Sequence, residues 1–480
     1  MKRTCISLAC LFLLNGCALG PDFLRPKVAV PEAYREAEGW KLAEPREDAL
    51  PAAWWEAFGD PVLNGLAAQV EISNQNVLAA AAQFRQAQAL AAGAHAARFP
   101  TVGTSLSSTR SQGASGTTVT PGAPVRTADR FSLTSSWEAD LWGRLGRAEE
   151  ANAEAAQASA ADLAAARLSA QASLAQNYLL LRINDAQQRL LTRTIAAYQR
   201  SWEITRNRYQ AGVASQADVA QAEAQLKTTQ AQAVDLGVQR SQLEHAIALL
   251  LGRLPSEFRL APVEALPALP RIPLALPSAL LERRPDVAAA ERRVAAANAQ
   301  IGVAQAAFFP TLTLSANGGY QNSEWANLLA TSHRFWSLGP SLALTLFDAG
   351  ARAAQKDQAV AAYDRTVATY RQTVLAAFQE VEDNLAALRI LEEEKDIQLG
   401  AAKAADQFRS LTENQYQAGT VSFLNVAIAQ ASALTAERSS LDILGRQLAA
   451  SVGLLRSLGG GDWREKSAPT AAPVLGVQAK

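Results

Sequence analysis

Apolar and polar positions alternate with period two in several stretches of the chain. Within 131–142, Phe131, Leu133, Trp137, Ala139 and Leu141 fall on one side and Ser132, Thr134, Ser136, Glu138 and Asp140 on the other. The segments 311–317 and 337–346 alternate in the same way, while 101–112 is dominated by Thr, Ser and Gly and alternates weakly. Alternation of this kind sets one strand face against an apolar medium and the other against a polar one. Strands of about 9–11 residues so patterned are what an outer-membrane barrel requires. Trp137, Trp142, Phe335 and Trp336 sit near strand ends, where interfacial aromatics belong. Membrane strands are therefore expected over about 100–112, 129–142, 310–321 and 335–347, in two pairs. Four strands cannot close a barrel, because the smallest outer-membrane barrels have about eight. An open edge in lipid leaves backbone groups unsatisfied, so several copies in a cyclic oligomer must share one barrel.

Between the strand pairs the apolar period changes. From Val360 apolar residues recur at Tyr363, Val367, Tyr370, Val374, Phe378, Val381, Leu385 and Leu388, mainly three and four apart. This heptad-like stripe implies left-handed supercoiling. No proline interrupts 351–418 or 146–254. A helix of about 65 residues would reach roughly 100 Å.

The chain also repeats itself at an offset of roughly 205–210 residues, the mark of one unit used twice. Asn74-Gln75-Asn76-Val77-Leu78 leads to Phe99-Pro100-Thr101, and Arg284-Pro285-Asp286-Val287-Ala288 leads to Phe309-Pro310-Thr311. Arg208-Tyr209-Gln210-Ala211-Gly212 is echoed by Gln415-Tyr416-Gln417-Ala418-Gly419. Gly212 is placed to end one helix and Ser215 to cap the next, with Gly419 and Ser422 in the same places in the second copy. Each repeat thus reads as helix, two strands and a long helical hairpin. The first spans 63–254 and turns near Gly212; the second spans 278–457 and turns near Gly419. A proline-rich crossover, 255–277, joins them. Arg283-Arg284-Pro285-Asp286 reads as a helix start, with Pro285 in the first turn and Asp286 favoured by the N-terminal dipole.

Charge is balanced, with 45 Lys and Arg against 45 Asp and Glu, so nothing marks nucleic acid as a partner. Abundant alanine suits long, closely packed helices. Cys5, Cys10 and Cys17 are the only cysteines, and His95, His245 and His333 lie in unlike settings. Disulfides, cysteine metal centres and a Ser-His-Asp arrangement are therefore not expected, and an enzyme acting on cell wall or lipid is not favoured. Lys2 and Arg3 precede a short apolar run that ends in Leu14-Asn15-Gly16-Cys17. This reads as a secretory signal over 1–16, too short to span a bilayer as a mature helix. The ending resembles a bacterial lipobox, which implies acylation, palmitate included, of Cys17 and a lipidated extension over 17–62. A flexible tail is expected over 458–480, whose end is rich in Ala and Pro.

Further motifs carry a family resemblance. They include Gly20-Pro21-Asp22, Trp54-Trp55 with Phe58 and Asp60-Pro61, Ala139-Asp140-Leu141-Trp142-Gly143-Arg144, Leu346-Phe347-Asp348 with Gly350, and both Tyr-x-Ala-Gly turns. In this order the chain resembles the TolC-like outer-membrane efflux factors, in the lipoprotein branch exemplified by OprM and NodT. The resemblance implies a mainly α fold with a membrane β-barrel: a homotrimer with a shared twelve-stranded barrel and a periplasmic helical tunnel. It also implies multidrug efflux partners, namely a periplasmic adaptor and an inner-membrane pump of RND type, with no cofactor beyond the lipid on Cys17. It places Asp218 and Tyr416 where relatives bond across the inner helices of the closed mouth. The basic partner of that lock falls at Val421, and the ring aspartates fall at Asn425 and Ile428. A mouth held by few ionic contacts is expected, with Tyr209, Asp218, Tyr416 and Asn425 as candidate gate residues. The plainer reading is that both tyrosines pack the hairpin ends and Asp218 is a solvated charge. The alternative function is a lipid-anchored periplasmic adaptor or scaffold without a pore, against which the duplicated strand pairs speak.

Overall fold

A computed structural model describes residues 19–28, 30–31, 33–36, 53–112, 125–272 and 283–461. The signal segment, Cys17, part of the crossover and nearly all of the expected tail lie outside the described residues. The elements run α1 (Pro61–Ser73), α2 (Gln75–Ala96), β1 (Thr101–Ser111), β2 (Arg126–Ala139), α3 (Arg144–Gln210) and α4 (Gln216–Leu250). The second half follows as α5 (Pro285–Ala306), β3 (Thr311–Asn322), β4 (Arg334–Ala343), α6 (Ala351–Gln417) and α7 (Phe423–Ser457). The duplication is metrical: α3 and α6 have 67 residues each, α4 and α7 have 35, and α2 and α5 have 22.

The chain divides into two compact units. One contains the strands with the adjoining parts of α2, α3, α5 and α6. Its four strands form one antiparallel sheet in the order β1-β2-β3-β4. Two strands are shorter at one end than their patterns suggest. β2 stops at Ala139 because Asp140 leaves the ladder and accepts from the backbone N–H of Leu145 (3.0 Å) and Gly146 (2.7 Å), capping α3. β4 stops at Ala343, whose partner Thr311 is the first residue of β3 and follows Pro310, which has no N–H to donate. After β4, Asp348 starts α6 as Asp140 starts α3, accepting from the N–H of Arg352 at 3.2 Å and from its Nε at 2.6 Å.

Residues 19–22 are built into the same unit. Arg147 Nε donates to the carbonyl of Leu19 (3.1 Å), its Nη2 meets Asp22 at 3.1 Å, and Asn298 Nδ2 donates to the carbonyl of Pro21 (2.8 Å). The strap fits because Gly20, at φ +104°, lies against Gly302; a Cβ on Gly20 would be 2.5 Å from the Gly302 Cα. Beside it, Trp142 Nε1 donates to the Pro310 carbonyl (2.7 Å), and the Trp142 and Phe309 rings are 4.8 Å apart.

The other unit holds α1 and the greater part of both helical hairpins. Tyr370, at the boundary between units, and Val374, Val381 and Leu385 of the heptad stripe are buried. The second hairpin packs on the first through α7: Gly445 lies 3.5 Å from Ile183, and Gln187 Nε2 donates to Asp442 Oδ1 at 2.5 Å. The described part of the crossover is strapped down by its backbone. Arg182 holds the carbonyl of Ala261 (2.9 Å), Arg240 that of Leu260 (2.7 Å) and Arg189 that of Val263 (2.6 Å). The Arg182 and Arg240 guanidiniums share the buried carboxylate of Asp185. Arg284 precedes α5 as expected, and its buried guanidinium joins Asp286, Glu380 and the Ser457 carbonyl. It is a structural staple.

Candidate functional site

Two features carry the chemistry, the faces of the sheet and the hairpin turns. Register fixes the first. Opposite residues on paired antiparallel strands share a face, so Leu106, Phe131 and Tyr320 align, as do Trp137, Leu314 and Pro340. Continued across the sheet, that face carries large apolar residues that are exposed, Leu133 53%, Leu338 75% and Trp336 76%, with Arg110, Asp129 and Arg334 at one end. The other face presents Ser105, Ser132, Thr134, Asn317 and Ser337. On the polar face Ser132 is 4% exposed, its hydroxyl 2.8 Å from that of Ser105, while Ser105, Thr134 and Ser337 are exposed. An apolar face left open in this way suits strands that meet lipid outside and water within. β1 and β4 each pair on one side only.

The turns are built alike and capped differently. In the first, Gly212 at φ +75° lets the N–H of Val213 reach the Arg208 carbonyl (2.9 Å) and closes α3. Ser215 then starts α4 in a capping box: its hydroxyl accepts from the Asp218 N–H (3.1 Å), while Asp218 Oδ2 accepts from the Ser215 N–H (3.0 Å). In the second turn Gly419 at φ +77° plays the same part, and the Thr420 N–H reaches the Gln415 carbonyl at 3.0 Å. Ser422 makes no side-chain cap there, and Asn425, exposed, only approaches its hydroxyl at 3.5 Å.

Tyr416 is buried, 8% exposed, in a cluster with Ala222, Phe423, Val426 and Ala427. Its hydroxyl is 3.1 Å from Thr205 Oγ1, its carbonyl accepts from Arg208 Nη1 at 2.5 Å, and the Arg208 guanidinium lies 4.6 Å over its ring. Phe423 meets it edge-on at 5.7 Å. Deeper in, Gln430 donates to Ser201 Oγ (3.0 Å) and Glu413 Oε1 (2.9 Å). Thus Tyr416 of the second hairpin is bound to α3 of the first. The bond across the helices expected of Asp218 is not made among the described residues of the chain; its carboxylate closes its own capping box. Tyr209 is 44% exposed and does not share the buried place of its counterpart Tyr416. Thr205, Arg208 and Gln430 are the partners that sequence patterns missed. Only Gln430, a polar residue one heptad beyond Phe423 and sharing its buried face, leaves a trace in the sequence.

Among the described residues no group of His, Cys, Asp and Glu is placed to hold a metal ion, and no helix is long and apolar enough to cross a membrane. His95 pairs with Glu149 at 2.7 Å. A sheet with an apolar exposed face, in a chain that also folds paired antiparallel hairpins, defines a class of proteins that meet the membrane through strands. The chain belongs to the outer membrane efflux protein family, whose model matches residues 66–253 and 276–460, one match for each repeat. It is 30% identical over 474 residues to the toluene efflux pump outer membrane protein TtgC of Pseudomonas putida, covering 97% of each chain. It is 32% identical over 471 residues to the pyoverdine export outer membrane protein OpmQ of Pseudomonas aeruginosa, covering 96% of this chain and 97% of that one. Among solved structures it is similar to the outer-membrane channel OprN, with a TM-score of 0.87 and 31% identity over 93% of this chain and 99% of that one. The open state of MtrE from Neisseria gonorrhoeae gives a TM-score of 0.81 at 26% identity, over 93% and 98%. The family is one of transport channels of the Gram-negative outer membrane.

Proposed function

We propose that three copies of this chain close one twelve-stranded barrel and form a passive exit duct. Drugs or other small molecules would reach it from an inner-membrane pump of RND type through a periplasmic adaptor. The observation that carries this reading is the four-stranded sheet with an apolar exposed face and two unpaired edges. In hydrocarbon each unsatisfied backbone group costs several kcal/mol, so β1 of one copy must meet β4 of another. The similarity to efflux channels supports the partners. Acyl chains on Cys17 would hold the subunit to the outer membrane, and the strap from Leu19 to Asp22 gives them a fixed root. The hairpin turns form the periplasmic mouth. Tyr416, bound to Thr205 and Arg208, holds the two hairpins of each subunit together there; Asp218 and Asn425 shape the two turns.

Recovery of a heat-labile trimer from outer-membrane fractions in detergent, conducting in planar bilayers, tests the duct. A monomer that becomes soluble when Cys17 is replaced by Ser would refute it and favour a pore-less adaptor.

A further inference from the structure

The polar face of the sheet carries its charge unevenly. Strand alternation and register place Arg126, Arg130, Ser132 and Glu138 on that face of β2. At one end Glu138 is neutralised by a fork from Arg144, with Nε to Oε1 at 3.0 Å and Nη2 to Oε2 at 2.7 Å. At the other end Arg126 and Arg130 have no carboxylate partner among the described residues. The guanidinium of Arg130 lies 4.5 Å over the Phe335 ring, and its Nε is buried without a hydrogen bond. Gly319 stands between Ser132 and Phe335 in the register, where a Cβ would lie 2.8 Å from the Ser132 Cα. Asp129, the nearest carboxylate in sequence, falls on the opposite face. The connection 113–124 contains no charged residue, and the connection from β3 to β4 carries only Glu324 besides His333.

We infer that Arg126 and Arg130 make the barrel lumen selective for anions, so that the duct favours small organic anions as cargo. The inference rests on the proposed trimeric duct, in which the polar face lines the lumen. Threefold symmetry then turns the pair into a ring of guanidiniums, and rings of Arg or Lys favour anions as rings of carboxylates favour cations. Stacking on Phe335 fixes one of the two cations while leaving its charge unpaired.

Reversal potentials of the purified protein in planar bilayers under a KCl gradient test it. The wild type should prefer chloride. In Arg126→Gln/Arg130→Gln the chloride-to-potassium permeability ratio should fall roughly threefold or more at 0.1 M salt, and by less at 1 M, where the Debye length is about 3 Å. Arg126→Lys/Arg130→Lys should keep the wild-type ratio. A wild type that prefers potassium, or a conducting glutamine pair with an unchanged ratio, overturns the selectivity and leaves the duct standing. If no preparation conducts, the duct fails and the lumen assignment fails with it. Should the glutamine pair not assemble, Arg126→Gln alone is measured, since the Arg126 side chain is exposed and makes no bond among the described residues; an unchanged ratio there overturns the inference.

Discussion

Replacing Tyr416 by Ala should loosen the mouth, and the structure sets the size of the effect. The side chain is 8% exposed, and truncating a buried aromatic costs about 3–5 kcal/mol. Three named contacts make up part of that sum. The edge-on pair with Phe423 contributes about 0.5–1.5 kcal/mol, the Arg208 guanidinium over the ring about 0.5–2, and the Thr205 hydrogen bond about 1. Tyr416→Phe removes only the last, and Thr205 Oγ1 keeps its bond to the Ser201 carbonyl at 2.9 Å. The two variants should therefore differ widely. If about 3 kcal/mol of the Ala penalty falls on the closed arrangement alone, the ratio of open to closed mouths rises roughly a hundredfold, while Tyr416→Phe raises it about fivefold. Single-channel recording of purified trimers reads the open probability. Entry of antibiotics too large for the intact outer membrane reads it in cells. Equal open probability in Tyr416→Ala and wild type would refute the lock, and equal effects of Ala and Phe would assign it to the hydroxyl alone.

Asp218→Ala should cost about 1 kcal/mol, felt as faster hydrogen exchange in the first turn of α4, with little change in conductance; a conductance change as large as that of Tyr416→Ala would mean that Asp218 acts across subunits. Gly302→Val should free the strap, because any Cβ there lies 2.7 Å from the Leu19 carbonyl and 2.9 Å from Arg147 Cγ. Limited proteolysis within 19–28 should speed up; unchanged protection would show that the seat is not required. The Asp348 carboxyl is held below its ordinary value by its bond from Arg352. A depressed folded value stabilises above the ordinary carboxylate range and is lost as pH falls through the folded value. Acid titration of unfolding should accordingly show less pH dependence below the ordinary carboxylate range in Asp348→Asn than in the wild type; identical acid limbs would remove Asp348 from the account.

Much of this was written in short-range pattern. Period two along 131–139 gives the same apolar face that the register shows, since a strand's faces depend on nothing but parity. The hairpin turns were legible because a left-handed residue calls for glycine and a helix start calls for a cap, at Gly212 and Ser215. What stayed hidden was contact between distant elements. Thr205 and Arg208 reach Tyr416 across more than 200 residues, and one of those bonds ends on a backbone carbonyl, which no residue type advertises. The motif Gly20-Pro21-Asp22 was visible only as a resemblance; its physical reason is the close approach to Gly302, far along the chain. The ends of β2 and β4 escaped because capping and pairing, rather than hydropathy, decided them.

The equal lengths of the twinned helices, 67 and 67, 35 and 35, bind the halves of the gene to each other. Inserting a heptad into α3 alone, between Gln187 and Thr205, would carry Thr205 and Arg208 about 10 Å past Tyr416 and break the rungs beyond it while leaving Gln187 opposite Asp442. An insertion can be harmless only when α3, α4, α6 and α7 all receive it at matching depth. Length in this chain is thus inherited as a matched set, and a duplication that once gave freedom to diverge now forbids either copy to change size by itself.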